Sequence, residues 1–198
     1  GVLRQTARPA GARCVVVPQR RHPQYFFNEP ATTEIYTALN TLSLPDALPI
    51  SSAQPCHITL DPGGPERDLG PDRSRTMWPF APYPRRGVLQ AFCTDSPITL
   101  PDSMNVLYTA VTRRDPASRW PSGGWLPEER ISAADALRIY TAGSAVAAQH
   151  EDELGRIAPG YLADFVALDR DVTACDPEEI IDARVLATFV GGREVYSR

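Results

Sequence analysis

The sequence predicts a mixed α/β chain, and three stretches predict it. Residues 88–93, VLQAFC, form an apolar run too short for a buried helix, which is the mark of a strand covered on both faces. Residues 104–111 then place Met104, Leu107, Tyr108 and Val111 at helical spacing, as a core-facing helix requires. Beyond Gly155 the apolar pattern breaks into strand-length runs, 165–168 and 185–190. The second run meets Gly191-Gly192 before Arg193 to Tyr196, which fits a two-residue type I′ hairpin.

Composition sets the outer limits. A chain of 198 residues with 42% hydrophobic content has enough apolar material for one ordinary core. A net charge of -4 with no basic run argues against nucleic acid or an acidic membrane surface as partner. There is no apolar run of membrane-spanning length and no signal peptide. The four cysteines, at 14, 56, 93 and 175, lack zinc-ligand spacing, so they read as small buried hydrophobes in a reducing cytoplasm. All 20 basic residues are arginine.

Taken in order, residues 1–24 are rich in arginine and proline and specify no element. Residues 25–52, YFFNEPATTEIYTALNTLSLPDALPISS, resemble the translation of a sequencing adapter; alternatively, Thr33 to Leu42 form an amphipathic helix. Residues 1–52 are therefore expected to be artefactual or irregular, with a boundary near Ser52. The β-prone run CHITL, 56–60, predicts a strand end before the breakers Asp61, Pro62, Gly63 and Gly64, with His57 close to the loop. A solvated helix carrying Arg67, Arg73 and Arg75 follows; one of these arginines is also a candidate for holding a substrate carboxylate through its planar fork.

Asp95 comes next, at the carboxyl end of the 88–93 strand and two residues before Pro97. In α/β sheets and barrels that edge is where ligands bind, which makes Asp95 a candidate for chemistry. The alternative is an aspartate that caps the following helix or turn. Trp120 and Trp125, around Gly123-Gly124, form either a hinged aromatic lid or plain packing. Ser132 with Asp135 three residues later is a capping box, opening a helix whose apolar face is Ala136, Leu137, Ile139 and Tyr140. A second short helix is expected to end near Gly155, with His150 in its polar last turn.

Five segments, in order, resemble the C-terminal part of the metal-dependent amidohydrolases, specifically amidohydrolase family 3, the YtcJ-like group. They are AQPCH (53–57), TDSPI with VTRRDP (94–98, 111–116), ALRIYTAGSA (136–145), GRIAPGYLADFVALD (155–169) and ATFVGGREVY (187–196). The resemblance implies the last strands and helices of a TIM-type (β/α)8 barrel over residues 53–155. Over 156–198 it implies the C-terminal strands of a small β-sandwich, in which Asp164 is structural. His57 would lie on the seventh barrel strand as a substrate contact, and Arg113 of VTRRDP would also bind substrate. Asp95 would lie on the eighth strand, touching a divalent metal, expected to be zinc, and accepting a proton from its water. The paired histidines and later histidines of the family's metal site have no counterparts in this sequence, and without lysine no carboxylated lysine can bridge metals.

The implied function is metal-dependent hydrolysis of a carbon-nitrogen bond, other than a peptide bond, in a small amide or N-formyl substrate, with this chain an inactive fragment. The alternative is a non-catalytic β-rich interaction or assembly module. The expected partner is a small molecule, and a homo-oligomer is left open.

Overall fold

The structure, a computed structural model, describes residues 13–15, 50–81, 83 and 88–198. The adapter-like stretch and residues 1–24 fall largely outside them. Two sheets organise the described chain. Strands β2 (Ile50–Ala53) and β3 (Leu89–Phe92) pair in parallel, Ile50 opposite Leu89 and Ala53 opposite Phe92. Strands β1 (Arg13–Val15), β4 (Phe165–Leu168), β5 (Val185–Val190) and β6 (Arg193–Ser197) form an antiparallel sheet in that order. Ile50 to Ser52, placed by the sequence on the N-terminal side of a boundary, thus belong to the same strand as Ala53.

The strand expected at 56–60 is corrected. Pro55–Thr59 is a 3-10 turn, and the strand ends just before it at Ala53. Pro55 explains the difference: it has no N–H for a ladder, and its fixed φ suits the first helical position. His57 N–H then bonds to Gln54 O at 3.0 Å. Helix α1 (Gly64–Ser74) follows, kinked at Gly70 (φ 78°, ψ 165°) ahead of Pro71.

Helix α2 (Ser103–Thr112) is the core element, and the spacing that predicted it is its buried face: Met104, Leu107, Tyr108 and Val111 are all buried, as are Val106 and Ala110. Each large apolar side chain buried there stabilises the fold by roughly 1.5–3 kcal/mol. Asp102 starts the helix, its Oδ1 accepting from Met104 N at 2.9 Å and Asn105 N at 3.4 Å. One apolar cluster joins this helix to Phe80, Phe92, Val166, Leu168 and Ile180, so both sheets share a core. Glu178, in the 3-10 turn Pro177–Asp182, ties that turn to the end of α2: its Oε1 accepts from Arg114 at 2.5 Å and its Oε2 from the Tyr108 hydroxyl at 3.0 Å.

The N-cap forms as expected, Ser132 Oγ accepting from Asp135 N at 3.1 Å at the start of α3 (Ala133–Arg138), while Asp135 Oδ2 accepts from the Ser132 hydroxyl at 2.7 Å in place of the backbone N–H that the reciprocal capping-box bond would use. The chain continues through a π-turn, Ile139–Gly143, into α4 (Ser144–Ala147). Helix α4 stops well before Gly155, so His150 is not in a helical turn; its Nδ1 lies 2.9 Å from Glu153 Oε1. In the hairpin, Gly191 and Gly192 both have positive φ (57° and 77°), the conformation that the type I′ turn demands and that glycine adopts without strain. Asp164, 4% exposed, receives Gly191 N on Oδ1 at 2.6 Å and pins that turn.

Candidate active site

The parallel register of β2 and β3 brings their carboxyl ends side by side, and Cys93 N–H extends the pairing to Ala53 O at 3.0 Å. Each strand then delivers one polar residue within four positions. After β2 the 3-10 turn carries His57; after β3 the chain turns through Asp95, whose φ of 55° is left-handed. A non-glycine residue there is uncommon, and such conformations concentrate at functional sites. Asp95 O accepts from Ile98 N at 2.7 Å, and the Thr99 hydroxyl bonds to Thr94 O.

The outcome is a pair: His57 Nε2 lies 3.7 Å from Asp95 Oδ2. The histidine side chain is 21% exposed and the aspartate 53%, so the carboxylate faces the open side and the imidazole backs it. His57 Nε2 is itself buried and has no hydrogen-bond partner. As an ion pair so exposed it contributes little to stability; as two donors converging at strand ends it is chemically useful. Asp95 does not cap the following helix, since Asp102 does.

Around the pair, Cys93 Sγ accepts from Gln54 Nε2 at 3.3 Å. Cys56 is 8% exposed, and burial, reinforced by the charge of Asp102, pushes its thiol up to about 11. Tyr140, assigned by the sequence to an apolar face, has its hydroxyl 3.1 Å from Ser103 Oγ. Burial raises its pKa, with Cys56 and Asp102 adding to the effect. A tyrosine on an apolar stripe gives no sequence signal of that polar end. Because only about one Cys56 thiol in a thousand is ionised at pH 8, native protein treated with iodoacetamide is expected to label Cys93 and spare Cys56. Peptide mass spectrometry showing Cys56 labelled first would contradict this.

Arg113 is not brought to the pair. It is the left-handed C-cap of α2, a helix of about 15 Å whose opposite end carries Asp102. Fully buried, it donates Nε to Trp125 O at 2.5 Å and Nη1 to Trp78 O at 3.0 Å, and its guanidinium lies 5.2 Å from the centroids of the Phe80 and Trp125 rings. Trp125 is packed edge-on against Trp78 and donates Nε1 to Glu66 Oε1 at 2.6 Å, so packing accounts for it. Arg67 pairs with Asp61 at 2.6 Å and Asp68 at 3.0 Å on an exposed face.

The pair offers a metal ion two donor atoms. Two ligands of one tetrahedral zinc are about 3.4 Å apart, so a nitrogen and an oxygen at 3.7 Å match one edge of such a site. No cluster of three or more metal-binding side chains occurs among the described residues. The residues present fit part of a metal site. No helix among them is long and apolar enough to cross a membrane.

Comparison with known proteins places this geometry in context. A model of the amidohydrolase family matches residues 29–196. The chain is 34% identical over 148 residues, 74% of its length, to the protein LONG AFTER FAR-RED 3 of Arabidopsis thaliana, and covers 25% of that protein. It is 32% identical over 66% of its length to the amidohydrolase YtcJ of Bacillus subtilis, and 34% identical over 57% to an N-substituted formamide deformylase of Arthrobacter pascens, covering 24% and 20% of them. The chain therefore spans a quarter or less of the length of these relatives. Among solved structures, a metal-dependent hydrolase from Pyrococcus furiosus superposes with a TM-score of 0.51 at 31% identity, over 63% of this chain and 24% of the other.

Proposed function

Because the chain belongs to the amidohydrolase family, we propose that it carries the carboxyl-end portion of the active site of a metal-dependent hydrolase that cleaves a carbon-nitrogen bond in a small amide or N-formyl compound. The observation that carries this is the His57–Asp95 pair, 3.7 Å apart at the carboxyl ends of two parallel strands. β2 and β3 are read as consecutive strands of a (β/α)8 barrel, and β4 to β6 as part of a small sandwich. A likeness to an N-substituted formamide deformylase supports the N-formyl class.

The family implies a divalent metal, for which zinc is our choice on the imidazole and carboxylate chemistry. Asp95 would hold it through its carboxylate, and the metal would supply an activated water and polarise the scissile carbonyl. Asp95 would take that water's proton on its carboxylate and return it to the leaving nitrogen. His57 would contact the substrate beside the carboxylate. This chain by itself, with two such side chains, is an inactive portion. The N-formyl activity is tested on a protein of the relatives' full length that contains this segment. Dialysis against a chelator should abolish release of formate from an N-substituted formamide, and divalent metal should restore it; turnover unaffected by chelation would contradict the proposal.

A further inference from the structure

The loop after β3 carries Asp95 outward, and one of its side chains turns the other way. Asp95, Ser96, Pro97, Ile98 and Leu100 are all exposed, whereas Thr99 among them is half-buried. Its hydroxyl donates to Thr94 O, the carbonyl of the residue immediately before Asp95. Within that ring Ile98 N donates to Asp95 O at 2.7 Å. Residues 94–99 are closed on themselves by these two bonds, and Asp95 is held among them at a φ of 55°. An aspartate in the left-handed region relaxes to commoner backbone conformations unless its surroundings hold it.

The same threonine reaches the loop after β2. Its side chain hydrogen-bonds to the thiol of Cys56, which is 8% exposed and immediately precedes His57. A hydroxyl has one proton to donate and lone pairs to accept with, so Thr99 can donate to Thr94 O and accept from the protonated thiol at once. Cys56 is itself firmly placed: its side chain belongs to the apolar cluster around α2, and its carbonyl accepts from the Thr59 hydroxyl at 3.2 Å. Thr99 therefore stands between the residue that precedes His57 and the residue that precedes Asp95. The bond from Cys93 N to Ala53 O lies upstream of both side chains, so it aligns the strands and leaves the loops to be fixed from beyond.

We propose that Thr99 is a positioning residue that clamps the two loops together and holds Asp95 facing His57. Its catalytic consequence rests on the hydrolase assignment, while the clamp itself is read without it. Removing the hydroxyl frees Thr94 O, loosens the turn around Asp95 and moves the carboxylate away from the place where it acts.

The test pairs Thr99→Val, which keeps the shape and loses the hydroxyl, with Thr99→Ser, which keeps the hydroxyl. Residue-resolved amide exchange of the 198-residue chain reads the loop directly. The Ile98 amide should exchange roughly three- to tenfold faster in Thr99→Val, the change that one neutral hydrogen bond supplies, and at the parent rate in Thr99→Ser. The Cys93 amide should stay protected by Ala53 in both. In a protein of the relatives' full length, with metal saturating, Thr99→Val should lower kcat by the same roughly three- to tenfold with KM little changed, and Thr99→Ser should keep the parent kcat. An Ile98 rate unchanged in Thr99→Val would overturn the clamp, and a faster rate with unchanged kcat would overturn its part in placing Asp95. If Thr99→Val loses Cys93 protection and so unfolds the sheet, Thr99→Ala decides by the same two readings. Should Asp95→Asn also keep its kcat, the hydrolase assignment is what fails, and Ile98 exchange still judges the clamp.

Discussion

Asp95→Asn is expected to lower kcat by roughly 100- to 10,000-fold in the full-length enzyme, the span that positioned general acid-base catalysis supplies, while the fold and its melting temperature remain. The amide has the same shape as the carboxylate, so it can occupy the left-handed position after β3, and Asp95 is exposed enough that its charge contributes little to stability. What the amide cannot do is accept a proton. His57→Ala should act differently, raising KM with a smaller change in kcat, since a substrate contact made equally in ground and transition states affects binding alone. Steady-state kinetics of the two variants separate the roles; near-normal kcat for Asp95→Asn with metal bound would remove Asp95 from the chemistry.

Arg113→Met is expected to destabilise the fold by about 3 kcal/mol or more. Two carbonyls, Trp78 O and Trp125 O, accept from this guanidinium, and each hydrogen bond from a charged donor contributes roughly 1.5–3 kcal/mol. Stacking against Phe80 and Trp125 is lost with it. Burial pulls the Arg113 pKa down to about 10, which still leaves a cation at neutral pH. Methionine keeps much of the volume and none of the donors. Arg113→Lys should fall between the two, because an ammonium retains charge without the planar fork that reaches both carbonyls. Urea unfolding measures the loss. A midpoint for Arg113→Met within error of the parent chain would show that the carbonyls find other partners.

The contrast between Asp95 and Arg113 shows what the sequence can express. Asp95 was legible because an apolar run of strand length followed by an acid and a proline fixes both the strand and the end at which the acid emerges. Helix α2 and the Gly191-Gly192 hairpin were legible for the same reason, since a periodicity or a turn chemistry acts within a few residues. Arg113 was assigned to substrate by the family resemblance of VTRRDP, yet its surroundings are Trp78, Phe80 and Trp125, contributed by other parts of the chain. Nothing local to Arg113 announces those partners.

The 3-10 turn at Pro55–Thr59 was hidden differently. Cys, Ile and Thr favour strands, but one proline removed the ladder donor and reset the backbone, and the strand formed upstream. That shift is what lets His57 face Asp95 from a turn.

Asp95 is proposed to belong to a metal centre at the carboxyl ends of β2 and β3. The direct measurement is anomalous diffraction from zinc-loaded crystals of the full-length enzyme. A metal peak about 2.0–2.2 Å from an Asp95 carboxylate oxygen, on the side open to His57, is the predicted result. A metal bound at full occupancy elsewhere, with the Asp95 carboxylate touching neither it nor its water, would contradict the account.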